Sequence, residues 1–165
     1  MVDKPIRHPA AGRYSAGAHN VRLRFHPTAA GAARLHVTEF LSGRDLPPGV
    51  IDDARLVVSE LVANAVQHGR PSSDGYLNLA WELESRNLVL SVEDGGNQPV
   101  LPREPDPESV NGRGLHIVDS LTASWTVERD AGTTLVCASI LLGDEPQPAI
   151  SADAHEPDEP AEQES

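Results

Sequence analysis

Glu60 and Asn64 put a carboxylate and a carboxamide four residues apart. On a helix, side chains at i and i+4 stack on one side, so the two groups would stand together. Magnesium is a hard cation that prefers oxygen ligands and keeps several waters. A neutral amide oxygen can serve it without adding negative charge beside a triphosphate. A neighbouring carboxylate can orient or deprotonate an attacking hydroxyl. The same pair is also common on a solvated helix flank, and spacing alone leaves both readings open.

Two glycine turns extend the set. Leu88 to Val92 reads as a strand and runs into Glu93-Asp94-Gly95-Gly96. There Asp94 could accept a hydrogen bond from an exocyclic amine such as that of adenine, or it could belong to a plain Asp-Gly turn. Further on, Asn111-Gly112-Arg113-Gly114-Leu115 leads into an apolar helical stretch. Glycines just before a helix leave its first amides open to phosphate, and Arg113 could add charge-assisted bonds. The Lys-Ser/Thr pair of a Walker A loop is missing. Gly132-Thr133-Thr134 enters the last strand with a hydroxyl that could reach a base.

These residues need elements to hold them. Ala54, Val57, Val58, Leu61 and Ala65 fall on one stripe of a helix predicted from Pro48 to His68, ended by Gly69 and Pro71. Glu60 and Asn64 lie at the edge of that stripe, with Asp53 and Gln67 on the same flank. Val21 to Phe25 alternates as a strand, and a helix follows from Thr28, placed to cap it, to Leu41, with Gly43 beyond. Tyr76–Glu84 and Leu88–Glu93 predict one hairpin, Thr126–Glu128 and Thr133–Leu142 another, with a short helix over Leu115–Leu121 between them. The order β-α-α-β-β-loop-α-β-β, with strand pairs joined by short turns, predicts an α+β fold: a mostly antiparallel sheet with helices on one face.

Composition bounds the rest. The chain has 165 residues, 39% of them apolar, and a formal net charge of −12. Much of that charge sits beyond Gly143, where eight acids stand without a Lys or Arg. One domain is expected over 21–142, between a loosely attached segment at 1–20 and an acidic disordered tail at 143–165. The charge argues against direct nucleic-acid or membrane-surface binding. No apolar run approaches the ~20 residues of a membrane span, and no signal sequence follows Lys4 and Arg7, so a cytoplasmic location is expected. Cys137, the only cysteine, reads as a buried small hydrophobe rather than a nucleophile.

Taken together and in order, the motifs resemble the GHKL superfamily, whose Bergerat-type two-layer sandwich binds ATP. The run Asp52 to Gly69 is similar to its N box, in the E-x-x-x-N-A-x-x-H-G form of anti-sigma serine kinases. Val92–Gly96 resembles the G1 box, Gly112–Val118 the G2 box, and Gly132–Leu135 the closing Gly-Thr element. The resemblance covers about Val21 to Leu142. It implies Asn64 as the ligand of Mg2+ and Glu60 as the general base. Asp94 and Gly96 would lie at the adenine, with Thr133 near the same base. Gly112, Arg113, Gly114 and the amide of Leu115 would hold the phosphates, 97–111 would form a lid, and His68 would pack behind the site.

The small size sets aside a complete histidine kinase and points to the stand-alone anti-sigma class of bacteria. Its partners would be a sigma factor and a small STAS-type antagonist phosphorylated on Ser or Thr, with a homodimer in keeping. Two departures favour an alternative, a binding module that holds ATP without transferring phosphate. Gln98 replaces the second G1 glycine, and Pro99, Pro102, Pro105 and Pro107 stiffen the lid.

The acidic tail is expected to carry no part of the fold. Truncation after Gly143 should leave the melting temperature and ATP affinity unchanged, and a clear fall in either would show that the tail docks on the domain.

Overall fold

The two periodicities of the sequence resolve into two layers in the computed structural model, which describes residues 17–95, 112–130 and 132–143. Five strands form one sheet in the order β1-β2-β3-β5-β4, and every pairing is antiparallel. They are β1 (His19–Arg24), β2 (Tyr76–Leu83), β3 (Asn87–Gly95), β4 (Ser124–Asp130) and β5 (Thr133–Leu141). The helices are α1 (Ala29–Leu41), α2 (Val50–His68) and α3 (Gly112–Leu121).

One face of the sheet is apolar because successive strand residues point to opposite sides. Leu77, Leu79 and Trp81 of β2, Leu88, Leu90 and Val92 of β3, and Ala138 and Ile140 of β5 supply it. Against it lie Ala33, Val37 and Leu41 of α1, the α2 stripe from Ala54 to Ala65, and Val118 of α3. The stripe expected on α2 is the buried one, extended by Val62. Cross-strand pairs such as Leu79 with Val92 and Leu90 with Ala138 keep each row on the helix side.

Three local expectations need correction. Thr28 stands at the N-cap of α1 without capping it, since its hydroxyl meets His26 Nδ1 at 3.0 Å instead. The long helix starts at Val50 rather than Pro48, the Val50 N–H donating to Pro47 O at 3.3 Å. β3 runs on to Gly95, because pairing with β5 continues through Asp94–Thr134 and Gly95–Thr133. The terminal segments at 1–16 and 144–165 lie outside the described residues.

The core face should govern stability. Leu90→Ala, at a fully buried position, is expected to cost about 2–5 kcal/mol. Leu35→Ala, at a position 73% exposed on α1, should change stability by no more than about 0.5 kcal/mol. Equal effects in chemical denaturation would show that the sheet–helix interface is not where the core lies.

Candidate functional site

The end of α2 meets the end of β3, and one residue ties them together. After the helix stops at Gly69, the Arg70 N–H donates to Asp94 Oδ1 at 3.4 Å, and the Gly95 N–H donates to Arg70 O at 2.6 Å. Gly69 lies so close that a Cβ there would collide with the Asp94 carboxylate. Only glycine lets the helix end come this near the strand.

Asp94 is thereby buried, with 8% of its surface exposed. Burial pushes its carboxyl up to about 6 from 3.8, against the opposing pull of the Arg70 N–H and the charge of Arg129. Beside it, an open pocket of about 300 Å³ is lined by Ser72, Tyr76, Asn78, Glu93, Asp94, Gly95 and Thr133.

A second grouping stands upstream on α2. Glu60 and Asn64, both half-buried, face the first turn of α3 at Gly114. A Cβ on Gly114 would come within 2.5 Å of Glu60 Oε2 and 3.6 Å of Asn64 Oδ1. The missing side chain is therefore the space the carboxylate occupies. Nine residues separate Glu60 from Gly69, or roughly 14 Å along the helix at 1.5 Å per residue. α2 acts as a ruler between the two groupings.

The expected residues fall out as follows. Glu60, Asn64 and Gly114 come together, while Asp94 and Thr133 line one pocket without pairing, Thr133 standing opposite Gly95. Gly112 and Arg113 lie inside the first turn of α3, which begins three residues ahead of the Leu115 start expected from sequence. Leu115 is on that turn as well, with its side chain exposed. Gly96 and the lid at 97–111, with Gln98, lie outside the described residues. His68 is exposed rather than packed behind the site.

Sequence reasoning passed over several participants. Gly69 and Arg70 follow the helix and their role appears only when β3 arrives. Thr134 lies directly opposite Asp94 in the β3–β5 ladder, whereas the Thr133 hydroxyl donates to Asp130 O at 2.7 Å. Ser72, Tyr76, Asn78 and Glu93 carry no local signal of their own.

A divalent cation fits the Glu60–Asn64 grouping in donor type, since both offer oxygen. Among the described residues no three His, Cys, Asp or Glu side chains gather to hold a metal. Most ligands of a magnesium ion would have to come from a bound phosphate and water, which is how that ion is usually held. No helix among the described residues is long and apolar enough to cross a membrane.

Comparison with known proteins identifies the family and the fold. Residues 23–140 match the histidine kinase-like ATPase domain family. An anti-sigma F factor of Clostridium kluyveri is 29% identical over 119 residues, covering 66% of this chain and 83% of the relative. That of Clostridium acetobutylicum is 31% identical over 109 residues, covering 61% and 76%. The serine-protein kinase RsbW of Staphylococcus epidermidis is 29% identical over 99 residues, covering 52% of this chain and 62% of its own. A crystal structure of RsbU and RsbW domains from Mycobacterium tuberculosis shares the fold. It superposes with a TM-score of 0.57 at 24% identity over 75% of this chain, which spans 32% of that one.

The buried carboxylate has a measurable cost. Below 3.8 Asp94 is neutral in both folded and unfolded chains and contributes nothing to the balance. As pH rises from there through about 6, the unfolded chain ionises first and stability is lost. Asp94→Asn should therefore raise stability at neutral pH by on the order of 2 kcal/mol. The gain should shrink as pH falls towards 3.8. Denaturant titrations across that range check it, and a gain independent of pH would refute the desolvated carboxylate.

Proposed function

Because the chain belongs to the histidine kinase-like ATPase domain family, we propose that it binds ATP with magnesium and acts as an anti-sigma serine/threonine kinase. The observation that carries this reading is the seating of Glu60 and Asn64 against Gly114, with a buried Asp94 beyond the C-terminal end of the same helix. That spacing suits an extended nucleotide with its base at the C-terminal end of α2 and its terminal phosphate near the middle of the helix.

In this reading Asp94 accepts a hydrogen bond from the exocyclic amine of adenine. The carboxylate is best suited when ionised, which the pH of the cell favours over a carboxyl near 6. Thr133 and Gly96 complete the base end. At the other end, the first amides of α3, from Gly112, Gly114 and Leu115, receive phosphate oxygens with the helix dipole behind them. Arg113 adds charge-assisted bonds. Asn64 Oδ1 would hold the magnesium ion, which when bound neutralises charge on the phosphates. Glu60 accepts the proton of an attacking Ser or Thr hydroxyl while that oxygen takes the γ-phosphoryl group and ADP leaves.

The anti-sigma F and RsbW relatives support a sigma factor as binding partner and a protein serine as phosphoacceptor; in this reading the phosphorylated protein is a small STAS-type antagonist and the kinase works as a homodimer. A second reading rests on Gln98 and the prolines between 99 and 107. They favour a module that binds ATP to hold a conformation without transferring phosphate.

Calorimetric titration with ATP, with and without magnesium, separates these. Wild type should bind in a magnesium-dependent way, and Asn64→Ala should abolish that dependence. Glu60→Ala should keep affinity within a few-fold while transfer to a STAS-type partner falls by about 10²-fold or more. Absence of ATP binding by the wild type would overturn the proposal. Binding without transfer would select the second reading.

A further inference from the structure

The two threonines that open β5 face opposite ways. In the β3–β5 ladder Thr134 stands opposite Asp94 and Thr133 opposite Gly95. Alternation along the strands puts Thr134 on the helix side with Val136 and Ala138, and Asp94 on that side with Leu90 and Val92. Directly opposed side chains on one face have Cβ atoms about 4.5–5.5 Å apart. Thr134 and Asp94 are therefore neighbours, at the end of α2 where the Asp94 carboxylate meets the Arg70 N–H.

Thr133 is committed elsewhere. Its side chain falls on the back of the sheet in line with Leu135 and Cys137, and lines the pocket there with Asn78 and Glu93. Its hydroxyl donates to Asp130 O at 2.7 Å and so fastens the β4–β5 turn. A Cβ on Gly95 would meet Gly132 O at 2.5 Å and Thr133 Cα at 2.8 Å, so backbone already fills the space beside Gly95. Thr134 differs on each count. It is half-buried, and no hydrogen bond to another described residue ties its hydroxyl.

Granting the ATP reading, on which this inference rests, we infer that the Thr134 hydroxyl donates to ring nitrogen N1 of adenine while Asp94 accepts from the exocyclic amine. The amine and N1 are neighbours on one edge of the base, and they need an acceptor and a donor side by side. An ionised carboxylate only accepts, whereas a threonine hydroxyl can donate. The Arg70 N–H is already spent on the carboxylate itself. Arg129, the next donor along the row, is one strand further from Asp94 and exposed. Thr134 is the neighbour left to supply the donor. Thr133, next to the motif glycine Gly132, then holds the turn rather than the ligand.

Calorimetric titration of the full chain with magnesium and two probes tests the contact. The probes are ATP and the triphosphate of 1-deazaadenosine, in which C–H replaces N1. Wild type should bind ATP about three- to tenfold more tightly than the deaza analogue, the range of one net hydrogen bond. Thr134→Val keeps the β-branched shape and should bind both probes alike, near the wild-type affinity for the analogue. Thr134→Ser should restore the preference for ATP, and Thr133→Val should leave it intact. Equal binding of the two probes by the wild type, or a preference that survives in Thr134→Val, would overturn the inference. A preference lost in Thr133→Val but kept in Thr134→Val would return the role to the motif residue. No binding of either probe by the wild type would remove the ATP reading, and this contact with it.

Discussion

The peptide of Arg70 holds the working parts in place. Its N–H reaches Asp94 and its carbonyl receives the Gly95 N–H, so the end of α2 cannot slide along β3. The apolar stripe from Ala54 to Ala65 fixes the rotation of the helix about its axis. Rotation and axial position together decide where Glu60 and Asn64 stand. Neither group needs an ion pair of its own to be aimed, because the helix is aimed for them.

That arrangement buries a carboxylate, and burial pushes the Asp94 carboxyl up to about 6. A residue selected for stability alone would not be charged there. Gly69 and Gly114 express the same logic on the steric side. Each leaves a space that a neighbouring carboxylate enters, Asp94 in one case and Glu60 in the other. Stability is given up at the positions where a ligand would be met, a distribution common at functional sites.

Much of this was legible in the residues, for reasons of period and punctuation. The α2 stripe, the element order and the antiparallel layer follow from local pattern, since burial imposes its period on each element separately. What escaped depends on partners distant in sequence. β3 extends through Asp94 because β5 is there to pair with it. α3 begins at Gly112, and its first turn lies at Gly114 beside Glu60 and Asn64 of α2, a closeness no local pattern could announce. The local motif singled out Thr133, and only the ladder shows that Thr134 is the residue opposite Asp94. Thr28 has the right type for a cap, but a competing ring nitrogen of His26 takes its hydroxyl.

Register is the finer constraint. Glu93 and Asp94 are adjacent buried acids that must point to opposite faces of one strand. A slip of one residue would carry Glu93 to the helix end and turn Asp94 to the back of the sheet. The same slip would expel Leu88, Leu90 and Val92 from the core, at about 2 kcal/mol for each side chain. Three apolar residues with no part in any chemistry therefore decide which carboxylate faces α2. The alternation Leu88-Val89-Leu90-Ser91-Val92 is the selector, and the acids that follow inherit their faces from it.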